Sequence, residues 1–176
     1  MSDLIVVTYP DEYKAAEALT TLQRLQKELL IDMEDAAFII KNAAGKVELH
    51  ETVPLTKIAA TSGFAHGTFW GALIGLLFMQ PALGAITGAA LGATTGALSG
   101  KLADYGIPND FVKQLGQDLK NGTSALFVLV RRATPDKVLA EVKKFGGTIA
   151  HSTLSSEAEQ RLQSVLSAGK AAGQSA

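Results

Sequence analysis

Residues 63–100 read GFAHGTFWGALIGLLFMQPALGAITGAALGATTGALSG. Gly63, Gly67, Gly71 and Gly75 recur at every fourth position. Gly84, Gly88, Gly92, Gly96 and Gly100 do so again after Gln80-Pro81, and no Asp, Glu, Lys or Arg occurs from Ile58 to Gly100. Flexible linkers are polar and aperiodic. This stretch is filled with Ala, Leu, Ile and Phe and keeps register, so it reads as an apolar helical hairpin, residues 55–106, turning at Gln80-Pro81. Each Gly inside a helix costs ~0.8–1 kcal/mol relative to Ala, so the second run alone costs roughly 4–5 kcal/mol. Close backbone packing must offset that. Glycines four apart share a helix face and admit a neighbouring backbone, as in small-xxx-small pairs of membrane helices. A repeat of four exceeds the helical turn of ~3.6, so the stripe drifts with right-handed sense.

Ala85, Ala89, Ala93 and Ala97 each follow a glycine by one place, which widens the smooth surface to a second side. One neighbour is the hairpin partner, and the other is most simply another copy of the chain. The nine glycines are therefore the expected helix-packing and oligomer interface. Two positions of the hairpin are ambiguous. His66 is an ionisable residue in an apolar setting, or a wet polar residue near a helix start, which is the preferred reading. Phe69-Trp70 suits a membrane interface or a protein core.

A membrane span needs ~20 mostly apolar residues. Both helices have that reach, although Thr61, Ser62, His66 and Thr68 weaken the first and Gly, Ala and Thr weaken the second. Lys57 and Lys101 bracket the segment from one side, in keeping with both ends in the cytosol. Membrane packing is the favoured expectation. The alternative is a soluble particle or filament in which the hairpins bury against one another across subunits.

Outward from the hairpin, the flanks read as α+β. Leu4–Val7 is an apolar run typical of a central strand. Pro10-Asp11-Glu12 is expected to open a helix that buries Ala15, Ala18, Leu19, Leu22, Leu25 and Leu29. Ala36–Ile40 is a second strand, Asn42-Ala43-Ala44-Gly45 a hairpin loop, and Lys46–Val53 an alternating, half-solvated strand. After the hairpin, Asn109–Lys120 reads as an amphipathic helix, with Phe111, Val112, Leu115 and Leu119 on one side. Asn121-Gly122 breaks it, and Ala125–Val130 is another apolar strand. Skipping the insert gives β-α-β-β-α-β, the ferredoxin-like order.

A helix-strand-helix extension should follow. Thr134-Pro135 opens a short helix through Lys144, Gly146-Gly147 turns the chain, and 148–154 forms a strand pairing beside the 125–130 strand or a second subunit doing so. Ser156 and Glu159 suggest a capping box for a last helix, and residues beyond Ala168 should fray. The expected domains are 1–54 with 107–154 (ferredoxin-like), 55–106 (hairpin) and 155–176 (C-terminal helix and tail).

The chain of 176 residues carries a net charge of -1 and no Cys. No basic field points to nucleic acid, and thiolate chemistry, disulfides and Cys-based metal sites are excluded. The N-terminus lacks the features of a signal peptide. His50 and His151 stand alone on expected strands, and no His–carboxylate spacing suits a metal. Asp32, Asp35, Glu48 and Glu51 read as solvated acids. The stretch 96–101 is only superficially like a phosphate loop, because Thr95 stands where a Gly is needed and Leu102 follows Lys101. No catalytic, cofactor-binding or metal-binding residue is expected.

Asp104-Tyr105-Gly106-Ile107, Asp110-Phe111, the run Asn121–Val130 and Ala133-Thr134-Pro135-Asp136-Lys137-Val138, with the glycine hairpin before them, resemble the bacterial family called domain of unknown function 1269, often described as membrane proteins. The resemblance spans nearly the whole chain. Asn121 stands where that family commonly has Pro before Gly-Thr-Ser-Ala; either residue ends a helix. The resemblance implies a cytoplasmic ferredoxin-like domain holding a glycine-zipper hairpin, and it supplies no catalytic residue. The functional expectation is a non-enzymatic homo-oligomer at the inner (cytoplasmic) membrane, its soluble domain facing the cytoplasm and membrane lipid its second partner. An envelope or stress-related role is an analogy only. A cytoplasmic assembly is the alternative location. A small-ligand sensor or enzyme ranks last, because no polar cluster supports it.

Overall fold

The computed structural model describes residues 2–51, 108, 110–111, 114–115 and 119–174. The chain divides into two compact units, Met1–Thr52 with Leu119–Ala176, and Val53–Asp118. The hairpin read at 55–106, with its nine glycines, His66 and Phe69-Trp70, lies outside the described residues.

The first unit is α+β. It holds strands β1 (Asp3–Tyr9), β2 (Ile31–Lys41), β3 (Val47–Glu51), β4 (Thr123–Ala133) and β5 (Thr148–Ser152). Helices α1 (Lys14–Lys27), α2 (Pro135–Val142) and α3 (Ser156–Gln174) complete it, with a 3-10 turn at Lys143–Phe145. The sheet runs β3-β2-β4-β1-β5, and every neighbouring pair is antiparallel. β4 therefore separates β1 from β2, and β1 separates β4 from β5.

The period-two alternation of strands sorts the core into two faces. Toward the helices, Val7, Tyr9, Met33, Ala36, Leu126 and Val128 pack with Ala18, Leu22 and Leu25 of α1 and Leu166 of α3. Residues of opposite parity, Leu4, Val6, Ala37, Ile39, Ala125, Phe127 and Leu129, are buried as well. A central strand enclosed on both faces must be apolar throughout, which is why Ala125–Val130 carries no charge.

Several expectations need correction. α1 starts at Lys14, not at Pro10, because the Asp11 carboxylate accepts the Tyr13 and Lys14 N–H groups at 2.7 and 3.2 Å and holds the preceding residues in a bend. Ser124 of β4 completes that start: its Oγ accepts the Ala15 N–H at 3.3 Å and donates to the Asp11 carbonyl at 2.6 Å. Leu29 is not part of the buried stripe. It is 89% exposed with φ +60. The Leu30 N–H reaches the Leu25 carbonyl and the Leu29 N–H the Gln26 carbonyl, the Schellman arrangement in which a left-handed residue ends the helix. β2 begins earlier than expected, at Ile31, since acidic residues in its first half mask a strand.

The 148–152 segment is a strand, but it pairs with β1; β4 already has β1 and β2 on its two sides. The expected capping box does not form, and the cap lies one residue earlier. Ser155 Oγ accepts the Ala158 N–H, while Glu159 takes the Ser152 hydroxyl at 2.8 Å. The chain beyond Ala168 stays helical to Gln174. Of the helix read over 109–120, residues 110, 111, 114 and 115 are helical, Leu115 and Leu119 are buried, and residues 119–120 are not helical.

Candidate functional site

The residues expected to carry function, the nine glycines, fall outside the described part, so no geometry brings them together here. Among the described residues three places hold concentrated chemistry.

The first is a pair of opposed bulges. Asp32 pairs with Arg132 and Met33 with Val130, leaving Arg131 extra on β4; Asp35 then pairs with Leu129, leaving Glu34 extra on β2. A bulged residue leaves the ladder and can re-aim its side chain. Here the two extras meet: Arg131 Nε lies 3.5 Å from Glu34 Oε2, and the Ser2 hydroxyl donates to the same oxygen. Asp35 turns back to accept its neighbour's N–H, that of Ala36, at 2.8 Å. The opposite charges pin the register of the two longest strands. Sequence reading took Asp35 for a solvated acid, and an extra residue in each of two paired strands leaves no local mark.

The second is the surface network joining α1 to α2. Arg24 bridges Glu28 at 2.9 Å and Glu141 at 2.7 Å, and Lys144 reaches Glu141 at 2.8 Å. The hydrogen bond that Arg24 donates to Glu28 raises the Arg24 pKa, with the charges of Glu28 and Glu141 adding to it. The hydrogen bond from Lys144 lowers that of Glu141, helped by Arg24. Exposed pairs of this kind contribute little individually.

The third is the junction under α3. The Tyr9 ring is buried, burial pushes its pKa well above the usual tyrosine value, and among the described residues no hydrogen bond reaches its hydroxyl. Gly147, at φ +106, lies against it: a Cβ there would stand 2.9 Å from Tyr9 Cε1 and 2.7 Å from Val7 Cγ1. Gly169 of α3 faces the Lys143 carbonyl so closely that a Cβ would overlap the oxygen. None of these groups pairs a nucleophile with a base.

His50 and His151 lie on β3 and β5, as expected, in different parts of the sheet. His50 stacks on Phe38, its cross-strand partner, with ring centroids 4.8 Å apart. Among the described residues no three His, Asp or Glu side chains gather to hold a metal ion. No helix of the described residues is long and apolar enough to cross a membrane.

A family model described as "Protein of unknown function (DUF1269)" matches residues 64–167. That is more than half of the chain, from within the glycine-rich segment to α3, though less than the near-complete span expected. No curated protein and no solved structure matches.

Proposed function

The chain belongs to the DUF1269 family, whose description assigns no activity, and from that premise we propose that it is a non-enzymatic, membrane-associated homo-oligomer. The observation that carries this is the charge-free run from Ile58 to Gly100 with its glycines at intervals of four. Such a segment is costly in water and as an isolated helix, and close contact with other helices in lipid offsets both costs. The sheet unit is its cytosolic companion. We read that unit as ferredoxin-like, built from β1, α1, β2, β4, α2 and β5 in place of the expected set with the 46–53 strand and the 109–120 helix, which the sheet order does not fit, and with the hairpin inserted between β3 and β4. The two interleaved crossings, β4 between β1 and β2 and β1 between β4 and β5, support this reading.

The test is native size together with membrane fractionation. An oligomer recovered in the membrane fraction and released by detergent supports the proposal. Gly88→Leu or Gly92→Leu should break that oligomer far more than Gly45→Leu damages it. Wild-type size in both zipper variants would count against it. The polar residues Thr61, Ser62, His66 and Thr68 in the first helix favour a second reading, a lipid-free particle with the hairpins buried between subunits. Purification of a large particle without detergent would select that reading.

A further inference from the structure

The two edges of the sheet differ. Along β5, α3 supplies partners: Gln163 Oε1 accepts the Ile149 N–H at 2.8 Å, and Glu159 accepts the Ser152 hydroxyl. β3 forms the opposite edge. The Asn42 N–H donates to the Lys46 carbonyl at 2.9 Å, and the Lys46 N–H donates to Asn42 Oδ1. Backbone polarity alternates along a strand, so Lys46, Glu48 and His50 direct their N–H and C=O groups toward β2. Those of Val47, Leu49 and Glu51 point away from it. Among the described residues, nothing pairs with these outward groups.

Open edges are commonly guarded by charge. The side chains on this edge complement themselves, an acid beside an imidazole. Glu48 and His50 flank Leu49 and share one face of the strand. Glu48 Oε2 lies 4.0 Å from His50 Nε2, and the stack on Phe38 holds the imidazole in place. If two β3 strands run antiparallel about Leu49, each Glu48 stands opposite His50 of the other copy. Leu49 then meets Leu49 as a pair exchanging both N–H···O bonds. An unrelated strand would need the same acid–imidazole spacing; a second copy has it by symmetry.

We infer that β3 pairs with β3 of a second copy of this chain, joining two five-stranded sheets across a two-fold axis at Leu49. The inference rests on the homo-oligomer reading and names a contact outside the hairpin.

The chain has no Cys, so introduced thiols report on it cleanly. Leu49→Cys places two thiols across the axis, with Cα atoms ~5.5 Å apart, within disulfide range. Ala44→Cys, at the exposed hairpin tip, places them roughly 30 Å apart. Mild oxidation of the full chain in native membranes should give on the order of tenfold more covalent dimer from Leu49→Cys than from Ala44→Cys. Adding Glu48→Lys should reduce that yield by removing the acid that faces His50 of the other copy, and further adding His50→Glu should restore it by setting Lys opposite Glu. Equal yields from Leu49→Cys and Ala44→Cys would overturn the inference. So would a yield indifferent to the charge swap. Native size, measured on the same samples, tests the homo-oligomer reading separately.

Discussion

The β2–β3 turn and the junction under α3 both depend on glycine, for opposite reasons. At the turn, Gly45 sits at φ +81 and closes the loop through its N–H to the Asn42 carbonyl, and a Cβ there would meet Asn121 at ordinary contact distance. Its backbone angle requires it. Gly169 lies inside the regular helix α3, with the Lys143 carbonyl where a side chain would be. Its neighbour requires it. A turn glycine announces itself by its company: Asn before it, alternating residues after. A contact glycine in a polar tail does not, and that is why the last turns of α3 read as frayed. Glycine becomes legible as a pattern when it repeats, as it does in the sequence from Gly63 to Gly100.

The sharpest way to break this contrast is Gly169→Leu. The side chain must displace a backbone carbonyl, so stability should fall by ~3 kcal/mol, or roughly 6–12 °C in Tm. Hydrogen exchange should show the end of α3 and residues 143–147 opening first. An unchanged Tm would mean that α3 does not dock there. Gly45→Ala should cost less, ~1 kcal/mol, the strain of a left-handed residue in an otherwise open turn. Equal losses at the two sites would erase the distinction.

Tyr9→Phe probes the same junction from below and should raise stability by about 1 kcal/mol, since it removes a buried hydroxyl with no partner among the described residues. It also has a pH signature. Burial raises the folded pKa above the ordinary 10.0, so the folded state keeps the proton where the unfolded state gives it up. This contribution to stability is whole below pH 10.0 and declines as pH rises beyond it. The alkaline limb of a Tm-versus-pH curve should therefore be shallower in Tyr9→Phe. The smallest effect belongs to Glu141→Gln. Lys144 and Arg24 lower the folded Glu141 pKa below 4.5, so its contribution is present above that value and is lost as pH falls through the folded pKa. Variant and wild type should differ slightly near neutrality and converge in acid.

What the sequence disclosed follows the range of the interactions involved. The apolar runs of β1 and β4, the Asn42–Gly45 loop and the Gly146-Gly147 turn are set by local composition, and all were legible. Exact helix limits were less so. Asp11 and Ser124 together fix the start of α1, and Ser124 is distant in sequence. Leu29 fell off the buried stripe because the helix stops before it, at a terminus that usually favours Gly. The partner of β5 was misjudged because strand neighbours are chosen by the whole sheet. The paired bulges at Glu34 and Arg131 had no local signal at all. Of the candidate site, the glycine spacing was legible as a pattern, and family membership was recovered from the motifs after residue 104 together with the hairpin.

β1 precedes the uncharged stretch along the chain, yet among the described residues it pairs with β4 and β5, up to Asp3 with Val130 and Ile5 with Ser152. A chain emerging from the ribosome must hold the residues of β1 unpaired until more than a hundred others have followed. By then the uncharged stretch from Ile58 to Gly100 has already left the exit tunnel. The order of synthesis presents that stretch to its surroundings before the sheet can close.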